Sequence, residues 1–399
     1  MNRIFGKVLY KGRIVEAGIE FEETILKVGK NVKGNKVKGL ILPAAIDVHV
    51  HFRDFNESHK ETIETGSLSA IHGGVCLVVD QPNCKPVVDS LEIYEKRMRK
   101  AEKKIYCDYS LNLALTNSNC GKIAEILEKL RKKYTVPAVG EVFLEHTNPD
   151  LQIGYETLRN VLETNKIRLT IHAEDPKLVE AGTPNFKYRP EEAEVSAVNS
   201  CLMLSRTELL HFCHISTTTA LELLKNSSST CEVTPHHLLL SIKDYSRLKE
   251  FINVNPPLRE KPLLEHLNDF DVIASDHAPH TPEEKKDGLP GFPGVETMYP
   301  IIVSLIKDGI IGIGAVERLT SIPAKIFGFD RLRYGEIEVG KFANFAVFDF
   351  SKETRINSRN LHSMCGWTPY EGFKAIFPNE VWLRGERVIP EEARLGRVL

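Results

Sequence analysis

The hydrophobic positions form eight short apolar runs, and most of these runs are followed by a segment with helical periodicity. The runs are Leu40–Asp47, Val75–Asp80, Tyr109–Leu115, Val136–Phe143, Arg168–Ile171, Glu208–Cys213, Cys231–Thr234 and Asp271–Ala274. Segments such as Ser90–Lys104 and Lys122–Lys133 place apolar residues three and four positions apart among charges, which is typical of amphipathic helices. Buried parallel strands read as near-continuous apolar runs, so the alternation predicts an α/β chain folded as a (β/α)₈ TIM barrel.

Both ends of the chain depart from this alternation. Residues 1–38 and 335–399 read as short strands in which apolar and polar side chains alternate. Chain termini often lie close together, so the two ends can pair into one small β-sheet domain. We therefore predict a β-sandwich domain from residues 1–42 and 333–399, and a barrel from residues 43–332. An open doubly wound sheet is the alternative, but no Gly-rich phosphate loop follows the first run.

The charge balance and the lengths of the apolar runs argue against nucleic-acid binding and against membrane insertion. The 399 residues include 52 Lys+Arg and 54 Asp+Glu, a formal net charge of −2, and no long Lys/Arg tract, so we expect no nucleic-acid partner. No apolar run reaches the ~18–20 residues that span a bilayer, and the first residues do not form a signal-peptide core. We expect a cytoplasmic protein with no membrane association.

The eight cysteines lack C-x-x-C pairs and are expected to be reduced thiols.

Polar residues stand at the ends of several predicted strands, where barrels of this kind carry their chemistry. In an extended segment His49 and His51 point to the same side, so two imidazoles can converge on one ion. His172, His214 and Asp276 follow three later strands in the same way. Imidazole and carboxylate ligands suit Zn²⁺ and similar ions, and an aspartate there can also accept a proton. The pattern predicts a metal centre at the mouth of the barrel.

Three further histidines lie near predicted strand ends. His211 alternates with Phe212 ahead of His214, so we expect it to face another side and to be structural. His236 and His237 are adjacent, and two adjacent side chains of an extended chain cannot both face one ion. They are candidates for residues that contact the metal ligands without binding the metal themselves.

Two stretches of the sequence resemble the signature segments of dihydroorotases, the cyclic amidohydrolases of pyrimidine biosynthesis. They are Asp47–Phe55 (DVHVHFRDF) and Ala274–Lys285 (ASDHAPHTPEEK). The resemblance extends along almost the whole chain, through HAED at 172–175, HIST at 214–217, NPPLR at 255–259 and GEIEVGKFANFAVFD at 335–349. It implies a zinc-dependent enzyme that reversibly cyclises N-carbamoyl-L-aspartate to (S)-dihydroorotate.

The resemblance also implies roles for the residues at the strand ends. His49 and His51 would bind the more buried metal together with Asp276. His172 and His214 would bind a second metal. Asp276 would also take the proton of the attacking water and pass it to the leaving amide nitrogen.

The substrate-binding residues that the resemblance implies fall into two groups. They are Arg53, Asn83 and His280 for the substrate carboxylate, and Asn255 with the backbone near Pro290 and Gly291 for the ring; His51 is also implied to bind substrate. An arginine supplies a fork of donors that matches a carboxylate, and an amide and an imidazole can complete such a pocket.

One position departs from the dihydroorotase pattern. Many relatives bridge their two metals with a carboxylated lysine at the end of the fourth strand, whereas here no lysine lies between Lys133 and Lys166, and Glu141 occupies that place. A glutamate carries a permanent carboxylate and can bridge two ions, although it is several bonds shorter. Two zinc ions are expected if Glu141 bridges. One tightly held ion, or a buried glutamate paired with a histidine or arginine, is the alternative.

Two other functions stay open from the sequence. A hydantoinase or allantoinase would share the metal centre but usually lacks an arginine two residues after the second histidine, so Arg53 discriminates against it. An inactive dihydroorotase-like barrel would instead serve as a scaffold for a pathway partner. Aspartate carbamoyltransferase is such a pathway partner.

Overall fold

The chain alternates strands and helices through its middle and consists mainly of strands at both ends. The computed structural model describes all 399 residues. The strands are β1 (Asn2–Tyr10), β2 (Arg13–Phe21), β3 (Ile25–Gly29), β4 (Asn35–Pro43), β5 (Ala45–Val50), β6 (Val75–Asp80), β7 (Asp108–Leu111), β8 (Val139–Phe143), β9 (Leu169–His172), β10 (Leu210–Phe212), β11 (Thr230–Val233), β12 (Val272–Ile273), β13 (Phe345–Phe348), β14 (Thr354–Arg355), β15 (Lys374–Ala375), β16 (Glu380–Leu383) and β17 (Glu386–Ile389). The α-helices are α1 (Ile63–His72), α2 (Leu91–Glu102), α3 (Ile123–Arg131), α4 (Tyr155–Thr164), α5 (Glu191–Leu202), α6 (Thr218–Lys225), α7 (Pro235–Leu239), α8 (Tyr245–Leu248), α9 (Pro282–Lys286), α10 (Val295–Lys307) and α11 (Ser321–Ile326).

Strands β5 to β12 form a closed parallel barrel. Its wall consists of two hydrogen-bonded sheets, ordered β5-β6-β7 and β8-β9-β10-β11-β12. The sheets meet at two seams, where Leu113 pairs with Val139 and Val50 pairs with His277, both in parallel. All eight predicted runs supply strands of this barrel, and the predicted α/β fold class is confirmed. Because the strands are parallel, their carboxyl ends share one rim and gather the residues that follow them.

A seven-stranded sheet combines strands from both ends of the chain, in the order β17-β16-β13-β4-β1-β2-β3. It has a separate core of 12 buried hydrophobic residues. In this core the ring of Phe21 packs edge-on against Phe345 and Trp382, with centroids 5.1 and 5.3 Å away. The expected small β-sheet domain built from both ends is thus present. The division of the chain at residues 42 and 332 stays a prediction.

The first predicted run, Leu40–Asp47, proves to be two strands. Strand β4 ends in the small sheet at Pro43, and β5 begins in the barrel at Ala45. The backbone N–H of Ala44 donates to Asn344 O (3.2 Å), whereas that of Ala45 donates to Gly74 O (2.9 Å). The chain changes partners within two residues, and a continuous apolar run does not reveal this change.

Helix α2 shows how sequence signals place an element beside the barrel. It begins after Ser90, whose side chain accepts a hydrogen bond from the backbone N–H of Ile93 and so caps the helix. Its inner face buries Tyr94, Met98 and Arg97, which follow the predicted helical spacing. Among all the helices, none combines the length and the apolar character needed to cross a membrane.

Candidate active site

A polar cavity of about 390 Å³ opens at the rim formed by the carboxyl ends of the barrel strands. It is lined by 18 residues, of which three are hydrophobic, so it suits a polar ligand. The predicted site residues that line it are His51, Arg53, Asn83, Glu141, His172, His214, Asn255, Asp276, His280, Pro290 and Gly291. His49 is buried and contacts several of them. The fold therefore brings all the predicted residues together, while their individual roles stay predictions.

Two histidines of β5 and the aspartate after β12 form the most compact group. His49 and His51 lie two positions apart, so both rings project to the same side of the strand. Oδ1 of Asp276 lies 3.1 Å from Nε2 of His51 and 3.6 Å from Nε2 of His49. Burial alone would raise the pKa of the Asp276 carboxyl, but His51 and His49 hold it well below its usual range. Asp276 is therefore ionised at neutral pH.

Glu141 stands between two pairs of histidines. Its Oε2 lies 3.5 Å from Nε2 of His49 and 3.8 Å from Nε2 of His51. Its Oε1 lies 2.7 Å from Nε2 of His214 and 3.2 Å from Nδ1 of His172. Burial alone would raise the pKa of the Glu141 carboxyl, but the surrounding histidines hold it well below its usual range. Each oxygen of an ionised carboxylate thus faces a different histidine pair.

A close approach of β8 to β9 accompanies the short glutamate. Gly140, which precedes Glu141, has a φ of +133°. A Cβ atom at this position would lie only 2.2 Å from Oγ1 of Thr170 on β9. Glycine is therefore required here, because any side chain would push the two strands apart.

A hydrogen-bond acceptor behind each of three imidazoles fixes which ring nitrogen faces the centre. The contacts are His49 Nδ1 to Glu232 Oε1 at 2.5 Å, His51 Nδ1 to Asn83 Oδ1 at 2.9 Å, and His172 Nε2 to Glu174 Oε2 at 2.7 Å. In each case one ring N–H is donated outward, so the other nitrogen faces Glu141 and offers its lone pair to a metal ion once it has lost its proton. Such outer partners commonly orient metal-binding histidines.

This donor set fits a divalent metal ion. Nε2 of His49 is buried and has no hydrogen-bond partner within the chain. The ligand atoms of His49, Glu141 and His214 all lie within 4.8 Å of one another, as do those of the group around Asp276. Burial would lower the pKa of His172, but the neighbouring carboxylates raise it to about 9. A bound cation can replace the protons that these carboxylates draw onto the imidazoles.

Arg53 presents an open donor to the cavity. Its Nε donates to Pro279 O (3.2 Å), and its Nη2 donates to Nε2 of His280 (3.1 Å). His280 in turn donates from Nδ1 to Glu284 (3.0 Å). Burial and the charge of Arg53 lower the pKa of His280 far below its usual value, so this imidazole is neutral. Nη1 of Arg53 makes no hydrogen bond within the chain and can serve an anionic ligand.

A buried ion pair fixes the backbone that carries Arg53. Nη2 of Arg97 lies 2.5 Å from Oδ2 of Asp80, and both side chains are fully buried. Arg97 also donates to Arg53 O (2.8 Å), while Asp80 accepts from the backbone N–H of Phe52 (3.0 Å). Arg53 has a φ of +47°, a conformation that costs a non-glycine residue about 1–3 kcal/mol. The ion pair holds the segment in this strained conformation.

Two loops, one containing Asn255 and the other containing Gly291, border the cavity beyond Arg53. Asn185 Nδ2 donates to Oδ1 of Asn255 (2.7 Å), which leaves the amide N–H groups of Asn255 for another acceptor. Gly291 has a φ of +139°, and a Cβ atom there would lie 2.5 Å from Ala278 O. Only glycine lets this loop pack so closely against the segment before His280. The exposed Pro290 stands next to it.

Glu232, which lies behind His49, escapes the sequence analysis. Glu232 on β11 contacts His49 with one oxygen and Nε2 of His211 with the other, the latter at 3.1 Å. His211 therefore reaches the centre only through Glu232. A charged residue inside an apolar run was the available signal, since a buried charge needs a partner. His236 is fully buried with neither ring nitrogen partnered, and burial lowers its pKa to about 3.

Comparison with protein families matches residues 40–381 to the model of the amidohydrolase family. The chain therefore belongs to the amidohydrolase family. The L-hydantoinase of Arthrobacter aurescens superposes with a TM-score of 0.88 at 21% identity and covers 100% of this chain and 98% of its own. A D-hydantoinase of Thermus sp. gives 0.86 at 23% identity, covering 100% and 97%. At these identities the likeness shows the fold alone.

Curated relatives narrow the assignment within the family. The chain is 58% identical to the dihydroorotase of Archaeoglobus fulgidus over 403 residues, which cover 99% of each chain. It is 37% identical to the dihydroorotase of Methanosarcina acetivorans, over 97% of this chain and 88% of that one. Among the amidohydrolases, it belongs with the dihydroorotases. The resemblance found in the sequence is confirmed.

Proposed function

We propose that this protein catalyses the reversible cyclisation of N-carbamoyl-L-aspartate to (S)-dihydroorotate, a step of de novo pyrimidine biosynthesis. It is a cyclic amide hydrolase, as are the dihydroorotases to which it is similar. The observation that carries the proposal is the presence of Arg53 and the histidine–carboxylate cluster in one polar cavity. Dihydroorotate carries a carboxylate and a cyclic amide, and the cavity offers a binding group for each.

We infer that the site would hold two zinc ions and that Glu141 would be a ligand to both. His49, His51 and Asp276 would hold one ion, and His172 and His214 would hold the other. The division of the Glu141 oxygens between two histidine pairs supports bridging over a single ion or a purely structural glutamate. Zinc suits imidazole and carboxylate ligands, and when bound it polarises a carbonyl and acidifies water.

Asp276 is the proposed proton carrier. Its Oδ1 lies next to His51, whereas Oδ2 makes no hydrogen bond within the chain. The free Oδ2 of the ionised carboxylate can take a proton from the attacking water. The same atom returns the proton to the ring nitrogen as the amide bond breaks. In the biosynthetic direction it removes the proton from the carbamoyl nitrogen as the ring closes.

We assign the substrate carboxylate to Arg53 and Asn83. Nη1 of Arg53 is open, and a guanidinium matches a carboxylate in geometry and charge. Oδ1 of Asn83 accepts from His51, which leaves its amide N–H groups to donate to the substrate. His280 is neutral and accepts from Arg53, so its contribution is to orient the guanidinium.

We further propose that Asn255, Pro290 and Gly291 border the substrate ring and that His51 also contacts the substrate. Asn255 keeps free amide N–H groups for a ring carbonyl. The backbone at Gly291 is buried and held close to the Arg53 side of the cavity. Ring contacts of this kind select the size of the ring, whereas Arg53 selects its charge.

One experiment on the purified protein addresses the function most directly. Zinc is quantified per chain, and hydrolysis of dihydroorotate, hydantoin and allantoin is assayed on the same preparation. We expect about two zinc ions per chain and turnover of dihydroorotate. Preferred turnover of hydantoin or allantoin would support a hydantoinase or an allantoinase function instead. Zinc-loaded protein that hydrolyses none of them would support the inactive scaffold.

We also propose a cytoplasmic location and an association with aspartate carbamoyltransferase, whose product would be the substrate here. Seven of the eight cysteines are buried as free thiols, which suits a reducing compartment. Co-elution of the two purified proteins in gel filtration tests the association. Separate elution at micromolar concentrations would contradict a stable complex.

A further inference from the structure

Lys285 is a lysine buried without an acidic partner. Its side chain is 0% exposed, and it forms no ion pair with any carboxylate. Its Nζ donates instead to three backbone carbonyls, Asn253 O at 2.6 Å, Leu289 O at 2.8 Å and Gly291 O at 3.0 Å. The rings of Phe292 and Trp367, which pack edge-on against each other, lie beside it, with centroids 5.3 and 5.5 Å from Nζ. Burial of a cation costs free energy, so we expect a buried lysine to have a structural or functional role.

Three acceptors require three N–H donors. A neutral amine has only two, so one of the three carbonyls would face a lone pair. The geometry is therefore that of an ammonium group, whose charge is stabilised by carbonyl dipoles and by the faces of two aromatic rings. Burial and the charge of Arg53 lower the pKa of Lys285 well below its usual value. An anion bound at Arg53 would offset the effect of its charge on Lys285 and so favour the ammonium form that the three carbonyls require.

The three carbonyls belong to both loops that border the cavity. Leu289 and Gly291 are in the loop that lines the cavity next to His280. Asn253 lies two residues before Asn255, and its side chain accepts from the backbone N–H of Asn185 (2.9 Å). Lys285 is therefore one point at which these two loops are joined. Helix α9 carries it there, and the same helix bears Glu284, which orients the imidazole beside Arg53.

We propose that Lys285 is a positioning residue that strengthens the preference of the cavity, set by Arg53, for a ring carrying a carboxylate. It holds the loops at Asn255 and Gly291 against the ring while its charge adds to that of Arg53. The inference rests on the proposed function. Its ligand class is a six-membered cyclic amide with an anionic substituent.

The test compares Lys285→Met with Lys286→Met. Methionine keeps most of the apolar stem but removes the donors and the charge, and Lys286 is the exposed neighbour on the same helix. Binding of orotate, which carries the carboxylate, and of uracil, the same ring without it, is measured by calorimetry on the zinc-loaded enzymes. Steady-state kinetics with dihydroorotate, zinc content and melting temperature are recorded alongside. Lys285→Gln, which keeps two donors and loses the charge, serves if the methionine variant does not fold.

We expect Lys285→Met to lower the orotate-to-uracil affinity ratio by about tenfold, with KM for dihydroorotate about tenfold higher and kcat within about threefold. A general structural defect would weaken both ligands alike. An unchanged ratio, or a wild-type ratio near one, would overturn the proposal. If the wild type does not turn over dihydroorotate, the proposed function is wrong, but the binding ratio still decides the role of Lys285.

Discussion

The carboxylate of Glu232 lies 2.5 Å from Nδ1 of His49, on the side of the ring opposite the nitrogen that faces Glu141. Both side chains are only 1% exposed. Burial would raise the pKa of Glu232, but His49 and His211 lower it to about 2, so the acceptor is ionised. With Nδ1–H donating a hydrogen bond to Glu232, the neutral ring carries its lone pair on Nε2, which is the form of histidine that binds metal.

Replacement of this carboxylate by an amide, in Glu232→Gln, is expected to weaken metal binding about 10–100-fold. The amide offers a weaker acceptor to His49 and no charge to balance the bound cation. Competition with a chromophoric zinc chelator measures the affinity. The exposed Glu222→Gln is the matched control and should bind zinc like the wild type. Equal affinities for the two variants would mean that Glu232 does not act on the centre through His49.

The bridging role of Glu141 predicts a change in metal stoichiometry. In Glu141→Gln the side chain keeps its shape but loses the charge that faces His214 and His49. We expect zinc content to fall from about two ions per chain to about one, with activity lowered about 100-fold or more. Metal analysis after gel filtration, together with the dihydroorotate assay, checks both. Two retained ions with full activity would show that the glutamate is not a bridge.

Much of the site could be predicted because its signals are local. The His49-x-His51 spacing places two rings on one face of a strand, and a parallel barrel brings every strand end to one rim. His172, His214 and Asp276 each follow an apolar run, so the ligand set could be read without any knowledge of which strands are neighbours.

The supporting contacts could not be read in this way because they join residues far apart in the chain. Glu232 and His49 are separated by 183 positions, and their contact depends on how the barrel closes. The three carbonyls that hold Lys285 are backbone atoms, which leave no mark in the sequence. The change of sheet at Ala44 is hidden for a similar reason, since both sheets bury apolar residues there.

Arg53 is expected to determine the affinity for the substrate. Arg53→Lys keeps a positive charge but loses the planar fork and the contact of Nη2 with His280. We expect KM for dihydroorotate to rise about 100-fold with a smaller change in kcat. The exposed Arg331→Lys is the control. An unaltered KM would show that the substrate carboxylate does not bind at Arg53, and would favour a hydantoinase-like substrate.

The assignment of Asp276 as proton carrier predicts a variant that binds metal but does not react. Asp276→Asn retains an oxygen near His51 and His49 but cannot accept a proton at Oδ2. We expect turnover to fall about 1,000-fold or more while zinc content stays close to that of the wild type. Parallel metal analysis and assay in both reaction directions check this. Substantial activity in the asparagine variant would assign the proton transfer to another group.

A histidine pair at the protein surface predicts a pH dependence of stability. The rings of His72 and His362 are stacked, with centroids 3.7 Å apart. Glu296 lies 2.7 Å from Nδ1 of His362 and raises the pKa of that ring. Burial and the charge of His362 lower the pKa of His72 to about 4, against the opposing effect of Glu392.

The unfolded chain therefore binds more protons at His72 than the folded chain does between about pH 6.5 and about pH 4. The free energy of unfolding should fall as the pH falls through this window, and His72 should contribute no such loss above it. Because the ring is partly exposed, we expect a contribution of about 1 kcal/mol. His72→Gln should lose less stability than the wild type between about pH 7 and about pH 5 in urea unfolding, whereas His266→Gln should follow the wild type. Identical pH profiles for His72→Gln and the wild type would contradict the depressed pKa.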